Sequence, residues 1–201
     1  MIRDAFCNYC GAKYPEPLRY PRTCPSCKAQ VWSNPIPVSV VIVPVLDHTA
    51  PPSGGAASPG HARAGAGARR GVLAIRRAIP PGVGMLALVG GFLEDHESWQ
   101  QGGAREVMEE TGIAIDPETI EPLWWASSEP KPNRVMLFGV AAPLQRAALP
   151  PFVANSETQE RGLVFGPDGL DAAFVFSTHI EAARRYFARE GITGPHGFEA
   201  T

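Results

Sequence analysis

The stretch GGFLEDHESWQQGGAREVMEETGI, residues 90–113, restricts the fold more than any other part of the chain. Its opening Gly-Gly pair predicts a tight turn. Ser98 reads as an N-cap and Gly112 as a left-handed terminator of a helix running to about Thr111. On that helix Glu106 and Glu110 lie four residues apart and share a face, with Glu109 bordering it. Val107 and Trp99 turn toward a core. Like charges at this spacing destabilise a bare helix, and only Arg105 is nearby to offset them. Gly102 and Gly103 each cost about 1 kcal/mol against alanine, which predicts a close approach of backbone or ligand there. A solvated acidic face is the common fate of a glutamate-rich helix. Here glycine turns bracket the cluster, and the oxygen density matches what a hard divalent cation such as Mg2+ takes.

The four cysteines of the chain all lie near its start, as Cys7-x-x-Cys10 and Cys24-x-x-Cys27. Two CxxC turns at this spacing predict a tetrahedral four-cysteine zinc site. Gly11 suits a turn needing positive φ, and Pro25 a rigid one. The competing arrangement is a pair of disulfides, which a reducing cytoplasm disfavours. With all four ligands supplied by protein, no open position is left, so this metal is structural. Some thirty residues cannot build a core alone, and the metal stands in for one. The expected organisation is therefore a zinc ribbon over residues 1–33 and a larger domain over residues 34–195.

Within the larger domain, residues 35–46 (PIPVSVVIVPVL) are β-branched and read as a buried strand. Residues 48–70 form a Gly/Ala/Pro-rich tract expected to be a tolerated hairpin insertion, although its Arg63, Arg69 and Arg70 could meet an anionic ligand. Residues 71–78 resume as a strand antiparallel to the first. Further strands are expected at 85–89, 122–127, 134–144 and 162–166. A second helix is expected over residues 177–190, capped by Ser177 and ended by Gly191. The alternation predicts an α/β fold with a mixed sheet packed between helices. A net charge of −2 disfavours a dedicated nucleic-acid or membrane-surface binder. No apolar run is long enough to span a bilayer, and the first ten residues do not read as a signal peptide. A cytoplasmic protein is the default expectation.

The residues Gly91, Glu97, Arg105, Glu106, Val107, Glu109, Glu110, Gly112 and Ile113 fill every fixed position of the pattern Gly-x5-Glu-x7-Arg-Glu-U-x-Glu-Glu-x-Gly-U, with U aliphatic. The chain thus resembles the Nudix hydrolase superfamily. The resemblance implies a Nudix α/β/α sandwich behind the ribbon. It also implies Mg2+- or Mn2+-dependent hydrolysis of a nucleoside diphosphate linked to another moiety. Carried over, Glu106 and Glu110 are principal metal ligands with Glu109 beside them, and Glu97 joins or orients that shell. Arg105 holds the glutamates by charge-assisted pairing. Gly91 lets the loop pass close to the helix. The general base differs among members of the superfamily, so a box glutamate and a later acid both stay open. Glu157 and Glu160 are the later candidates, and Glu160-Arg161 resembles a stretch that supplies an extra ligand or base in related zinc-ribbon members.

A four-cysteine ribbon followed by a Nudix domain resembles NADH pyrophosphatases and their shorter relatives, associated with ADP-ribose, FAD or NADH-type substrates. Residues 127–138 (SSEPKPNRVMLF) lack the aromatic array of the NADH-type enzymes, and Val89 stands where proline is usual before the box. Trp124 and Trp125 are candidates to stack on a ring. Neighbours in a strand point to opposite faces, so at most one of them meets a ligand. Lys131 and Arg134 could meet phosphates. The resemblance favours a small nucleotide substrate and a homodimer. The rival reading is a non-catalytic nucleotide sensor or nucleic-acid binder. Five basic and two acidic side chains over residues 1–33 give that reading a weak footprint.

Overall fold

The computed structural model describes residues 5–48, 68–128 and 133–201. Most of the expected insertion, and Lys131, lie outside them. The chain forms two compact units, Met1–Pro35 and Ile36–Thr201.

In the first unit each CxxC pair sits in a tight turn. Cys7 N–H donates to Ala12 O at 2.8 Å, and Cys24 N–H to Ala29 O at 2.8 Å. Gly11 (φ 73°) supplies the left-handed residue of the first turn and Lys28 (φ 66°) that of the second. Two-residue strands, β1 (Arg22–Thr23) and β2 (Gln30–Val31), pair antiparallel. Among the described residues its buried core is Cys7, Tyr14 and Cys24, with Ala12, Leu18 and Val31 packed on it.

Among its described residues the second unit holds two sheets. Its first expected strand is two: β3 (Ile36–Ile42) and β4 (Pro44–Asp47). Pro44 has no N–H to continue the ladder, and the chain changes sheet at Val43. After β4 come β5 (Arg69–Arg77), β6 (Leu86–Ala87), β7 (Val89–Phe92) and helix α1 (Trp99–Thr111). The expected strand at 85–89 is also split, because the Leu88 N–H donates to His179 Nδ1 at 3.1 Å rather than to a strand. Then follow β8 (Glu121–Ser127), β9 (Arg134–Val140), β10 (Leu144–Gln145) and β11 (Thr158–Val164). The chain ends through α2 (Leu170–Ala173), α3 (Ser177–Arg189) and β12 (Phe198–Ala200).

One sheet runs β7-β3-β9-β8, mixed because β3 is antiparallel to β7 and parallel to β9. The other runs β10-β4-β5-β11-β12, with β6 also on β5. The expected antiparallel pairing of residues 71–78 with the first strand is the β4–β5 ladder. Strand β3 explains its own near-continuous apolar run. Val38, Val40 and Ile42 enter a core cluster shared with α3 residues Ile180, Tyr186 and Phe187, while Val41 enters a second cluster with Val107 of α1. A strand covered on both faces has no polar side to show.

Two boundaries differ from expectation. Ser177 is the first residue of α3 rather than its cap; Phe176 holds the cap position without a side-chain bond. The larger domain does not stop at 195, because Phe198–Ala200 pairs with β11. Arg161 fastens this end: its guanidinium, on a residue only 1 % exposed, donates to Thr111 O, Pro150 O and Thr201 Oγ1 at 2.8, 2.7 and 2.9 Å.

Candidate active site

Helix α1 begins as its sequence dictates. Ser98 Oγ accepts from Gln101 N–H while the Gln101 side chain accepts from Ser98 N–H, a capping box, and Gly112 closes the helix in the left-handed region at φ 72°. Its glycines are places of close approach. A Cβ at Gly103 would lie 2.6 Å from a Val41 methyl, so the helix can press onto β3. A Cβ at Gly91 would lie 2.3 Å from Glu106 Oε1, so glycine lets the β7 backbone pass this carboxylate where it stands, and a larger residue would have to displace it.

Arg105 organises the acids. Nη1 donates to Glu106 Oε1 at 2.9 Å and Glu109 Oε2 at 3.0 Å. Nε and Nη2 grip Glu97 at 3.1 and 2.9 Å, and Nη2 also reaches Phe92 O at 2.9 Å. These bonds hold Glu97 below the usual carboxylate range. Glu97 accepts from Glu94 N–H at 2.7 Å as well. The structure therefore places Glu97 on Arg105 as a brace of the helix entry.

Glu110 has no such partner. It is 6 % exposed, and the Gly90 N–H at 3.0 Å is its hydrogen-bond donor. Burial pushes its pKa up to about 8, the Gly90 bond opposing and the charges of Glu106 and Glu157 adding. Burial raises Glu106 too, against the pull of Arg105. Two inward carboxylates under mutual repulsion, one paired with Arg105 and the other without an ion-pair partner among the described residues, make an electrostatic site that a cation would complete. They are not pre-gathered as the cysteines are. Among the described residues the four cysteines are the group whose ligand atoms all lie within 4.8 Å of one another.

Glu106, Glu109 and Glu110 line a cleft of about 620 Å³ with Glu94, Arg77 and Glu157. Asn155 fixes the segment that carries Glu157. Its Nδ2 donates to Glu109 O at 2.9 Å, and its Oδ1 accepts from the N–H groups of Glu157 and Thr158 at 2.9 and 2.8 Å. Glu160, the other later acid, has its carboxylate on Arg76 Nε at 2.8 Å and does not line the cleft. A second cavity, about 410 Å³, shares Arg77, Gly90, Gly91 and Phe92 with the first and is lined further by Val40, Met136, Arg134, Phe176 and His179. Arg134, read from the sequence as a residue that could meet phosphates, lines this second cavity. The tryptophans do not. Trp124 stacks on Phe138 at 5.3 Å with Arg185 4.7 Å from its ring, Trp125 is 71 % exposed, and neither lines these two cavities. Arg77, Phe176 and His179 carry no motif; long-range packing of β5 and the start of α3 brings them in.

His179 is 5 % exposed and accepts through Nδ1, so it is the Nε2–H tautomer, and burial lowers its pKa to about 3. The unfolded chain protonates this side chain near 6.5 and the native one near 3. Its stabilising effect is therefore complete above 6.5 and is lost as pH falls toward 3, at up to about 1.4 kcal/mol per pH unit. Denaturant midpoints from pH 4 to 7 should show a shallower acid decline in His179→Asn than in the parent chain. An identical slope would assign the decline to other groups.

In the first unit the four cysteines are free, with Cys7 and Cys27 Sγ 3.7 Å apart and Cys10 and Cys24 Sγ 3.6 Å apart. A disulfide would need about 2.05 Å. A tetrahedron of Zn–S bonds near 2.3 Å has an edge of about 3.8 Å. The cluster fits a zinc site of the kind the spacing predicts.

No helix among the described residues is long and apolar enough to cross a membrane. No curated protein matches the chain by sequence. Among solved structures it is similar to a NUDIX hydrolase from Nitrosomonas europaea (24 % identity, covering 95 % of this chain and 96 % of that one, TM-score 0.63). It is similar also to the NUDIX domain of Shewanella oneidensis NrtR complexed with ADP ribose (16 %, 79 % and 90 %, TM-score 0.54). A third likeness is to a bifunctional NMN adenylyltransferase/ADP ribose pyrophosphatase from Francisella tularensis complexed with AMP and a manganese ion (17 %, 79 % and 42 %, TM-score 0.52). These likenesses establish the fold. The family model of the NUDIX domain matches residues 63–186, most of the chain, including every residue of the carboxylate helix. The chain belongs to the NUDIX family, hydrolases acting on pyrophosphate bonds.

Proposed function

We propose that the protein is a Mg2+- or Mn2+-dependent hydrolase of a nucleoside diphosphate linked to a second moiety, with ADP-ribose the leading candidate and FAD or NAD(H)-like dinucleotides next. The observation that carries this reading is the inward pair Glu106 and Glu110, the first held at one oxygen by Arg105 and the second buried with no ion-pair partner among the described residues. ADP-ribose leads because one similar fold is complexed with it and another is named as its pyrophosphatase. Every box glutamate is in place, which favours catalysis over nucleotide sensing or nucleic-acid binding.

Glu106 and Glu110, with Glu109 beside them, would hold the divalent cation, and Arg105 would keep Glu106 and Glu109 oriented toward it. When bound, the cation supplies neutralisation of the diphosphate and acidification of water. Water attacks one phosphorus, the bridging P–O bond breaks, and Glu157 accepts the proton of the attacking water at its carboxylate. Asn155 keeps Glu157 in register with the helix through Glu109 O. Zn2+ held by Cys7, Cys10, Cys24 and Cys27 serves the ribbon's structure. Four free cysteines favour a cytoplasmic setting.

Assay of the purified chain against ADP-ribose, FAD, NADH and nucleoside triphosphates, with each metal, tests the reading. AMP release from ADP-ribose or a dinucleotide is expected, and no turnover of any diphosphate would overturn it. Glu157→Gln should lower kcat by about 10²-fold or more with little change in KM, while Glu160→Gln stays near normal. A deeper loss in Glu160→Gln would reverse the assignment of the later acid.

A further inference from the structure

The two cavities form one trough, because Arg77, Gly90, Gly91 and Phe92 line both. One half is carboxylate-rich. The other is largely apolar, walled by Val40, Leu88, Met136 and Phe176. Arg77, the last residue of β5, stands at the junction.

Its mooring is unusually complete for a surface arginine. The backbone N–H donates to Met85 O at 3.0 Å, and the backbone carbonyl accepts from Gly84 N–H at 2.9 Å. The side-chain Nε donates to Pro81 O at 2.8 Å, and the guanidinium carbon lies 5.2 Å from the Phe176 ring centre. The next residue, Ala78, donates its N–H to Glu157 O at 2.7 Å, tying this strand end to the segment of the later acid. The two terminal nitrogens, by contrast, have no hydrogen-bond or ion-pair partner among the described residues. The other guanidinium of the carboxylate half, Arg105, has its donors committed to Glu97, Glu106, Glu109 and Phe92 O. Arg77 is therefore a pre-oriented fork with its outer donors open, between a cation-seeking group of acids and an apolar chamber. A guanidinium fork matches two phosphate oxygens.

We propose that Arg77 is a substrate-binding residue: it takes the phosphate adjoining the group seated in the apolar cavity, while the other phosphate faces the carboxylate helix. The proposal rests on the nucleoside diphosphate reading above. It makes the trough bipartite and defines the ligand class as a diphosphate joined to a ring-bearing apolar group that enters beside Phe92 and Phe176. It also replaces the tryptophan pair as the ring's neighbours.

The test compares the full-length protein with Arg77→Met, Arg77→Lys and Arg134→Met, titrating ADP and adenosine in the presence of Mg2+. Arg77→Met should weaken ADP by about 10-fold or more, the loss of a charge-assisted pair, and leave adenosine, which has no phosphate, unchanged. Arg77→Lys should recover part of the loss, and Arg134→Met should cost less than Arg77→Met. Unchanged ADP affinity in Arg77→Met, or equal weakening of ADP and adenosine, would overturn the proposal, since a mere strut for the 79–82 loop would disturb both ligands alike. Should Arg77→Met fail to fold, Arg77→Lys carries the test, because ADP binding identical to the parent across both ligands and a normal unfolding temperature would equally overturn it. Absence of turnover by the parent chain would remove the hydrolase reading without touching the ADP comparison.

Discussion

Glu110→Gln is expected to abolish hydrolysis while leaving the fold intact. The amide keeps the volume and its oxygen can still accept the Gly90 N–H, now at 3.0 Å from the carboxylate. What it loses is the negative charge. Changes to the outer partners of metal ligands alone cost about 10- to 100-fold, so loss of a direct ligand should exceed about 100-fold in kcat/KM. Stability should move the other way. Glu110 in the folded, metal-free chain titrates near 8, above its ordinary 4.5. The native state thus retains a proton that the unfolded chain has released. The group's contribution is complete below 4.5 and is lost as pH rises through 8. Glutamine has no such titration, so at pH 8 without metal the variant should unfold at the same temperature as the parent or higher. Thermal unfolding with EDTA, alongside steady-state kinetics with Mg2+, reads both effects. Near-normal turnover would show the metal shell to be elsewhere, and a collapsed fold would make Glu110 a structural residue.

Cys24→Ser should have an effect as large on the first unit. Among the described residues that unit's core cluster is Cys7, Tyr14 and Cys24, far too little apolar surface to offset the entropy of ordering about thirty residues. Metal binding to small cysteine sites is worth about 10–16 kcal/mol, and that energy is the folding energy. Elemental analysis should find about one zinc per parent chain and none bound tightly by the variant. In amide spectra the ribbon resonances should collapse to random-coil positions while those of Ile36–Thr201 persist, because that unit has two core clusters of its own. Stoichiometric zinc retained by Cys24→Ser, or two disulfides in protein purified under reducing conditions, would contradict the assignment.

What was legible in the sequence is what local chemistry determines. Ser98, Gln101 and Gly112 settle both ends of α1 within a few residues of themselves. The CxxC turns likewise carry their own geometry. Glu106 and Glu110 share a face because a helix leaves them no choice. The strands were legible as apolar runs but not in their breaks, since Val43 and Leu88 are interruptions imposed by Pro44 and by distant His179. Side-chain direction failed where the alternation of strands fails. Pairing shifts register between Pro122 and Trp124 in β8, and between Thr158 and Glu160 in β11. Those irregularities precede the tryptophan pair and Glu160, none of which lines the two cavities. A bulge re-aims side chains by one position and leaves no reliable mark in composition. Arg77 and His179 were invisible for a different reason: each reaches the trough through pairing with residues remote in sequence.

If the carboxylates of α1 hold a divalent cation against a diphosphate, Glu106 and Glu110 share that ion with the substrate. A crystal of the protein grown with Mn2+ and ADP, measured for anomalous scattering, tests it most directly. A manganese peak is expected with carboxylate oxygens of Glu106 and Glu110 within about 2.5 Å and ADP phosphate oxygens among its other ligands. Manganese bound elsewhere with ADP in the trough, or ADP in the trough with the carboxylates free of metal, would contradict it.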